Sequence, residues 1–326
     1  MKKVRWGIVG PGNIANKFAK AIKNVETAEL VAVAARSEEK GKIFAEMYGI
    51  KNVFTGYEKM AESDLVDAVY IATPHPFHKP NAEMFLSAKK HVLCEKPVCV
   101  NAYQAENLKE CAKENNAFLM EAMWTRFLPA VREAVSVANS GDIGEILGLT
   151  ADFCYNQKPE EEPKIYQNEM AGGSLLDVGV YGVHFASMFL GNSPESVTAV
   201  MNKVSDVDGH TILNLKYKNG AIATISSAIN VEKPSSAYIY GSKGHIFIPH
   251  FYGANDFYVY KDNAERHIEK RTIGDGFEEE IIEACNMILN GETESSILPM
   301  DESIKMLKIM DEARKQNDLK YPFEGE

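Results

Sequence analysis

Short apolar runs alternate with helical stripes through the first third of the chain. Mostly apolar runs at residues 4–9, 30–35, 68–72, 91–94 and 117–120 have the length of buried strands. Between them, residues 14–23, 38–48, 80–88 and 102–115 repeat apolar positions at helical spacing. Strands separated by helices predict a parallel sheet covered on both faces and wound in the right-handed sense. After about residue 123 the pattern changes to strand-like runs joined by turns, at 146–155, 196–204, 211–217, 221–229, 237–240, 245–248, 257–260 and 266–273. Lys218-Asn219-Gly220 predicts a hairpin, because Asn-Gly tolerates positive φ. Two helical stripes, 277–289 and 302–316, are expected to close an antiparallel sheet. The expected fold class is α/β: a doubly wound parallel-sheet domain over 1–123, then an α+β domain over 124–326.

Composition narrows the partners. Of 326 residues, 45% are hydrophobic and 25% charged, the proportions of a soluble globular protein. Lys plus Arg number 35 and Asp plus Glu 46, so the net charge of −11 argues against nucleic acid and anionic membrane. The five cysteines are odd in number and match no zinc or redox spacing. No metal site is expected, and reduced thiols fit a cytoplasmic protein. Met1-Lys2-Lys3 leads straight into the first strand, so no signal peptide is expected. No uncharged apolar run approaches the ~20 residues of a membrane span.

The first candidate chemistry lies at Gly10-Pro11-Gly12-Asn13-Ile14-Ala15, between a strand and a helix. Such a turn suits a dinucleotide. The first glycine turns the chain, the second leaves room for a pyrophosphate, and the small Ala15 lets helix and strand pack closely. The helix start, with Gly10, Gly12, Asn13 and Ile14, then faces the phosphates. Where such folds choose NAD, an acid ends the second strand. Here the strand ends Ala34-Ala35-Arg36-Ser37. Arg36 can pair with a 2′-phosphate and Ser37 can donate to it, which favours NADP while leaving NAD possible. Arg36 also fits a solvated loop.

Lys96, in Cys94-Glu95-Lys96-Pro97, follows a strand at the edge where open α/β sheets bind ligands. A lysine there, partly desolvated near a cationic nicotinamide, can exchange protons near neutrality. The preceding strand ends Thr73-Pro74-His75, with His78 just beyond, and both histidines fit loop or cap roles as well. Gly172-Gly173-Ser174 reads as a turn with Ser174 capping a helix. Asp177, Tyr181 and His184 are then spaced to share one helix face. Gly179 and Gly182, each costing the helix about 1 kcal/mol against alanine, imply that something packs close. Trp124, Arg126 and Phe127 suit either a cofactor or sugar pocket or a packed hinge. Tyr166, Gln167 and Asn168 are expected to help choose the substrate.

Together, Gly10–Ala15, Thr73-Pro74 with His78, Glu95-Lys96-Pro97 and Asp177-Val178-Gly179-Val180-Tyr181 resemble the glucose–fructose oxidoreductase and inositol dehydrogenase (Gfo/Idh/MocA) family. Tyr181, where many members carry histidine, and residues 121–127 look closer to its dimeric dihydrodiol dehydrogenase and NADP-linked aldose dehydrogenase branch. The resemblance implies a Rossmann domain followed by an open-faced antiparallel sheet, with the site between them. It implies NADP bound by Gly10, Gly12, Asn13, Ile14, Arg36, Ser37, Thr73, Pro74, His78, Glu95, Lys96, Trp124 and Arg126. Substrate would meet Lys96, Trp124, Phe153, Asp177, Tyr181 and, more weakly, His184. A homo-oligomer, a dimer or dimer of dimers through the antiparallel sheet, is implied as well.

The expected reaction moves a hydride between nicotinamide and a carbinol carbon of a sugar, polyol or cyclic diol. The resemblance implies that Lys96 and Tyr181 form the catalytic pair. Tyr181 is the first choice for the proton, Lys96 the competing one, and Asp177 orients the substrate. Two other readings stay open. An NADP(H) sensor would need the glycine turn and Arg36 but not Lys96, Asp177 and Tyr181. An enzyme using the cofactor transiently would show no net redox change.

Overall fold

Six strands form one parallel sheet, in the order β3-β2-β1-β4-β5-β6. Its strands are β1 (Val4–Val9), β2 (Ala28–Ala35), β3 (Asn52–Thr55), β4 (Ala68–Ile71), β5 (His91–Glu95) and β6 (Leu119–Ala122). Helices α1 (Asn13–Ala21), α2 (Glu38–Tyr48), α3 (Glu58–Ala61), α4 (His78–Ser87) and α5 (Ala102–Glu114) connect them. Central strands such as β4 are buried at every position, which is why they read as unbroken apolar runs rather than as alternations. The four-residue β3 escapes sequence reading because it is only half-buried at the sheet edge.

The computed structural model describes residues 2–324. It divides into two compact units that are not the two continuous halves expected. The first joins the chain up to Cys99 with Tyr103–Trp124 and Thr272–Ser303; the second joins Val100–Ala102, Thr125–Arg271 and the chain from Ile304 on.

In the second unit, α6 (Pro129–Asn139) precedes β7 (Ile146–Asn156), and α7 (Val180–Leu190) follows it. The remaining strands are β8 (Ser196–Val204), β9 (Val207–Lys216), β10 (Ile222–Ala228), β11 (Asn230–Gly241), β12 (Gly244–Pro249), β13 (Asp256–Lys261) and β14 (Ala264–Glu269). They pair in the order β14-β13-β12-β11-β7-β10-β9-β8. The sheet is mixed: β7 and β10 run parallel, and every other pair is antiparallel. A parallel pair needs a long crossover, here supplied by α7, β8 and β9. Asp262 and Asn263 both take positive φ between β13 and β14, as a tight hairpin turn requires.

Helix α8 (Phe277–Asn290) belongs to the first unit, not to the second as expected, and α9 (Met300–Gln316) follows it. It buries Phe277, Ile281, Ala284 and Cys285, and the Trp6 indole N–H donates to Cys285 Sγ at 3.3 Å. Its apolar stripe predicts a helix but carries no information about which sheet it covers. Residues Asn168–Leu190 are long and apolar enough to cross a bilayer by length and composition, but 78% of the window is buried inside the protein. That is a core helix.

Candidate active site

In the first unit, β1 leads into Gly10, whose φ of +85° and N–H hydrogen bond to Ala34 O set the turn. A Cβ on Gly10 would lie 3.0 Å from Thr73 Cγ2, so both backbone and space call for glycine. Gly12 is exposed, with only Ala72 O at 3.9 Å near its missing Cβ. It offers no side-chain cap to α1. The helix therefore presents its first amides at the carboxyl edge of the sheet, an arrangement that suits a diphosphate. Ala15 is fully buried, as close helix–strand packing requires. Arg36 is exposed just after β2, while Ser37 Oγ accepts from Lys40 N at 3.4 Å and so caps α2.

Strand β5 ends at Glu95, and the Lys96–Pro97 peptide is cis. Three groups strap this turn. Glu95 Oε2 accepts from Lys96 N at 3.2 Å, and its other oxygen accepts from the Tyr70 hydroxyl. Glu121 Oε1, from β6, accepts from Val98 N at 2.9 Å. His78 is buried, with its ring nitrogens 2.6 Å from Thr73 O and 2.8 Å from Pro97 O. Both nitrogens face backbone carbonyls, and the neutral ring donates its one N–H to one of them, so His78 is a strut between two strand ends. Burial pushes the His78 pKa down, against the pull of the two carbonyls.

The turn also sits over an acidic interior that sequence reading missed. Glu121 and Glu280 are almost wholly buried, and Glu95 is 7% exposed. Burial raises Glu95, and it raises Glu280 well above the usual carboxylate range, with Glu95 and Glu121 adding repulsion. Cys94 and Cys99 beside the turn are buried, with thiols pushed well up, so neither is a nucleophile. Thr73 Oγ1 accepts from Asn81 at 3.2 Å. Trp124 is partly exposed and packs on Phe277, with ring centres 5.0 Å apart and Lys17 Nζ 5.8 Å from the Trp124 ring.

In the second unit the Asp177 segment is not a plain α-helix. Leu175–Gly179 is a π-turn that runs into α7. Such a turn inserts a residue and shifts the phase of the helix beyond it. The strip that stays accessible runs through Asp177, Tyr181 and Met188, while His184 is 1% exposed. His184 is therefore a core residue, not the substrate contact expected. Ser174 makes no side-chain cap on the helix. Gly179 and Gly182 do mark close packing: Cβ atoms there would lie 2.9 Å from Ser227 Oγ and 2.4 Å from Ile225 Cγ2.

Strand β7 supplies a wall beside this strip. Tyr155 donates its hydroxyl to Asp177 Oδ2, and burial together with that carboxylate pushes the phenol's pKa far up, keeping it a donor. The Phe153 ring lies 5.4 Å from that of Tyr181 and stacks on Tyr252 at 4.1 Å. Thr125 Oγ1 holds the Tyr252 carbonyl at 2.6 Å. Sequence reading missed Tyr155 and Tyr252. The period of a strand puts Tyr155 on the same face as Phe153 and could have found it; no local signal marks Tyr252. Arg126 is buried and donates to Ser187 Oγ at 2.9 Å, which braces α7. Tyr166 and Asn168 are structural too. Tyr166 packs with Val207 and Ile229 and donates to Gln157 O at 2.6 Å; Asn168 bonds Asp206 O and Lys320 O.

Comparison with known proteins matches this architecture. The family described as oxidoreductase, NAD-binding Rossmann fold (GFO_IDH_MocA), matches residues 4–123, and the GFO/IDH/MocA C-terminal domain matches residues 131–247. The trans-1,2-dihydrobenzene-1,2-diol dehydrogenase of Xenopus tropicalis is 34% identical over 331 residues, covering 98% of this chain and 99% of the relative. That of Mus musculus is 34% identical over 334 residues, covering 98% of each. KijD10, a 3-ketoreductase from Actinomadura kijaniata solved with NADP and TDP-benzene, aligns with a TM-score of 0.89 at 28% identity, covering 96% of this chain and 98% of the other.

Proposed function

Because the chain belongs to the Gfo/Idh/MocA oxidoreductase family, we propose that it is an NADP-dependent dehydrogenase or reductase acting on CH–OH groups of a sugar, a polyol or a cyclic trans-diol. The observation that carries this reading is the end-to-end similarity to trans-1,2-dihydrobenzene-1,2-diol dehydrogenases. The likeness to a ketoreductase solved with NADP supports the choice of cofactor, as do Arg36 and the missing acid after β2.

When bound, the nicotinamide supplies or takes up the hydride. The open end of α1 holds the diphosphate, and Arg36 with Ser37 holds the 2′-phosphate. Tyr181 is the proposed proton donor and acceptor for the substrate hydroxyl, with Lys96 as its cationic partner. Asp177, already accepting from Tyr155, orients the substrate. Trp124 and Phe153 offer flat apolar faces to its carbon skeleton.

Purified protein with NADP⁺ or NAD⁺ and a panel of aldoses, polyols and cyclic diols tests this through absorbance at 340 nm. The expected result is reduction of NADP⁺ with at least one of them, at higher catalytic efficiency than NAD⁺. Silence across the panel would sink the reading, and equal use of NAD⁺ would remove the cofactor choice. The proposed compartment is the cytoplasm, where the five free thiols stay reduced.

The proposed assembly is a homodimer, or a dimer of dimers, through the aromatic face of the second sheet. Tyr238 stacks on Phe247 at 4.7 Å, His245 on Tyr260 at 4.7 Å and Tyr258 on His267 at 4.5 Å, all on partly or fully exposed residues. Large exposed aromatic patches mark contact surfaces. Light scattering at micromolar concentration should give at least twice the 36.2 kDa chain mass; a monomeric mass removes the proposal.

A further inference from the structure

Asp208 is fully buried at the start of β9, and three donors converge on one of its oxygens. Ser174 Oγ, Leu175 N and Thr211 Oγ1 each lie 2.7 Å from Oδ2. Two of these donors open the π-turn that carries Asp177 and continues into α7 with Tyr181. The third comes from β9 itself.

A sheet irregularity makes the convergence possible. In a regular strand, residues three apart point to opposite faces. Here Lys203 pairs with Asp208 and Asn202 with His210, so Gly209 is an extra residue in β9. A bulge of this kind re-aims the side chain beside it, and Asp208 thereby reaches the same side as Thr211. The segment opposite is shaped to receive the carboxylate. Gly173 has φ of +109°, and a Cβ there would lie 2.1 Å from Asp208 Oδ1. The neighbouring residues are pinned as well: Tyr321 donates to Gly172 O at 3.0 Å, and Gly173 N donates to Ile165 O at 2.8 Å.

We propose that Asp208 is the positioning residue of the proposed catalytic segment, a carboxylate cap delivered from a bulged strand that fixes where Asp177 and Tyr181 stand. A carboxylate on the first amide of a helical segment satisfies an orphan donor and favours the helix dipole. Ser174, the residue at the cap position, spends its own hydroxyl on Asp208 instead. Without the cap, the turn is free to shift along its axis, and a displacement of about 1 Å at a reacting group costs on the order of 10²-fold in rate.

This inference rests on the proposed roles of Asp177 and Tyr181, and its test separates the two. In the full chain, Asp208→Ala should lower kcat by about 10²-fold with the KM for NADPH unchanged. Asp208→Asn, which keeps an acceptor oxygen, should recover activity to within about tenfold of the parent. If Asp208→Ala does not fold, Thr211→Val decides: it removes one donor at nearly constant volume and should lower kcat by about 3- to 10-fold. Hydrogen exchange reads the anchoring without any substrate. Amides over 175–184 should exchange faster in the variant, while those of β1 should not change. An Asp208→Ala variant, or Thr211→Val in its place, that keeps kcat within about threefold or leaves 175–184 as protected as in the parent overturns the inference. If the parent chain shows no activity on any substrate, the functional reading falls, and exchange over 175–184 still decides whether Asp208 anchors the segment.

Discussion

The turn that carries Lys96 and the segment that carries Asp177 and Tyr181 are secured by opposite means. The Lys96 turn leaves β5, a strand buried beyond its first residue, and its backbone is held through Glu95, Glu121 and the His78 ring. The Asp177 segment begins in an irregular helical turn and hangs from one buried carboxylate. A strand end inherits its position from the sheet and needs only struts. A helix start has orphan amides and a free axial coordinate, so it needs a hydrogen-bond acceptor brought from elsewhere.

Substitution of the proposed reacting groups separates the two most sharply. Lys96→Met should remove most of the activity, by about 10⁴-fold, whether lysine or tyrosine moves the proton. Tyr181→Phe should lower kcat by about 10²–10⁴-fold with NADPH binding nearly unchanged. Near-normal turnover would reassign the proton to Lys96. Steady-state rates and cofactor fluorescence check both.

The pH dependence should differ in sign between the two supports. Burial raises the Asp208 carboxyl from its ordinary 3.8 to about 6. The folded protein then holds that proton more tightly than the unfolded chain, so the contribution is fully present below about pH 4 and is lost as pH rises through about 6. Its size is about 3 kcal/mol. The His78 pKa is lowered in the fold, so its contribution is present above the ordinary histidine value of 6.5 and is lost as pH falls below it. Denaturant unfolding of the parent and of Asp208→Asn from pH 4 to 7 should show the parent losing its advantage across that window. An unchanged difference would break the contrast.

A smaller effect is expected at the contact between α7 and β10. Gly182→Ala would place a Cβ 2.4 Å from Ile225 Cγ2. Overpacking should cost about 1–3 kcal/mol, offset by about 1 kcal/mol of helix propensity, and a thermal melt would register the net loss.

These two regions are also unequally legible in the sequence. Gly10, Glu95 and Lys96 sit at strand ends where the chain itself places them, so spacing alone points to them. The parallel strands are plain because burial on both faces removes any alternation. The second unit is assembled from partners far apart in sequence. Asp208 reaches Ser174 and Leu175 through a bulge, and Tyr155 reaches Asp177 from another element. A one-dimensional pattern assigns Ser174 to a cap and His184 to a polar face. The π-turn and the burial of α7 on nearly every side give both residues other roles. The membership of α8 is equally hidden, because an apolar stripe says that a helix packs and not on what.

The bond from Trp6 to Cys285 spans 279 positions. During synthesis the ribosome delivers the first strand near the beginning and its covering helix only after the whole second sheet has emerged. The amino-terminal layer must therefore wait through synthesis of the whole second sheet with one flank uncovered. A nascent chain halted before residue 272 would be a nucleotide-binding half still missing a wall, not a finished half lacking an appendage.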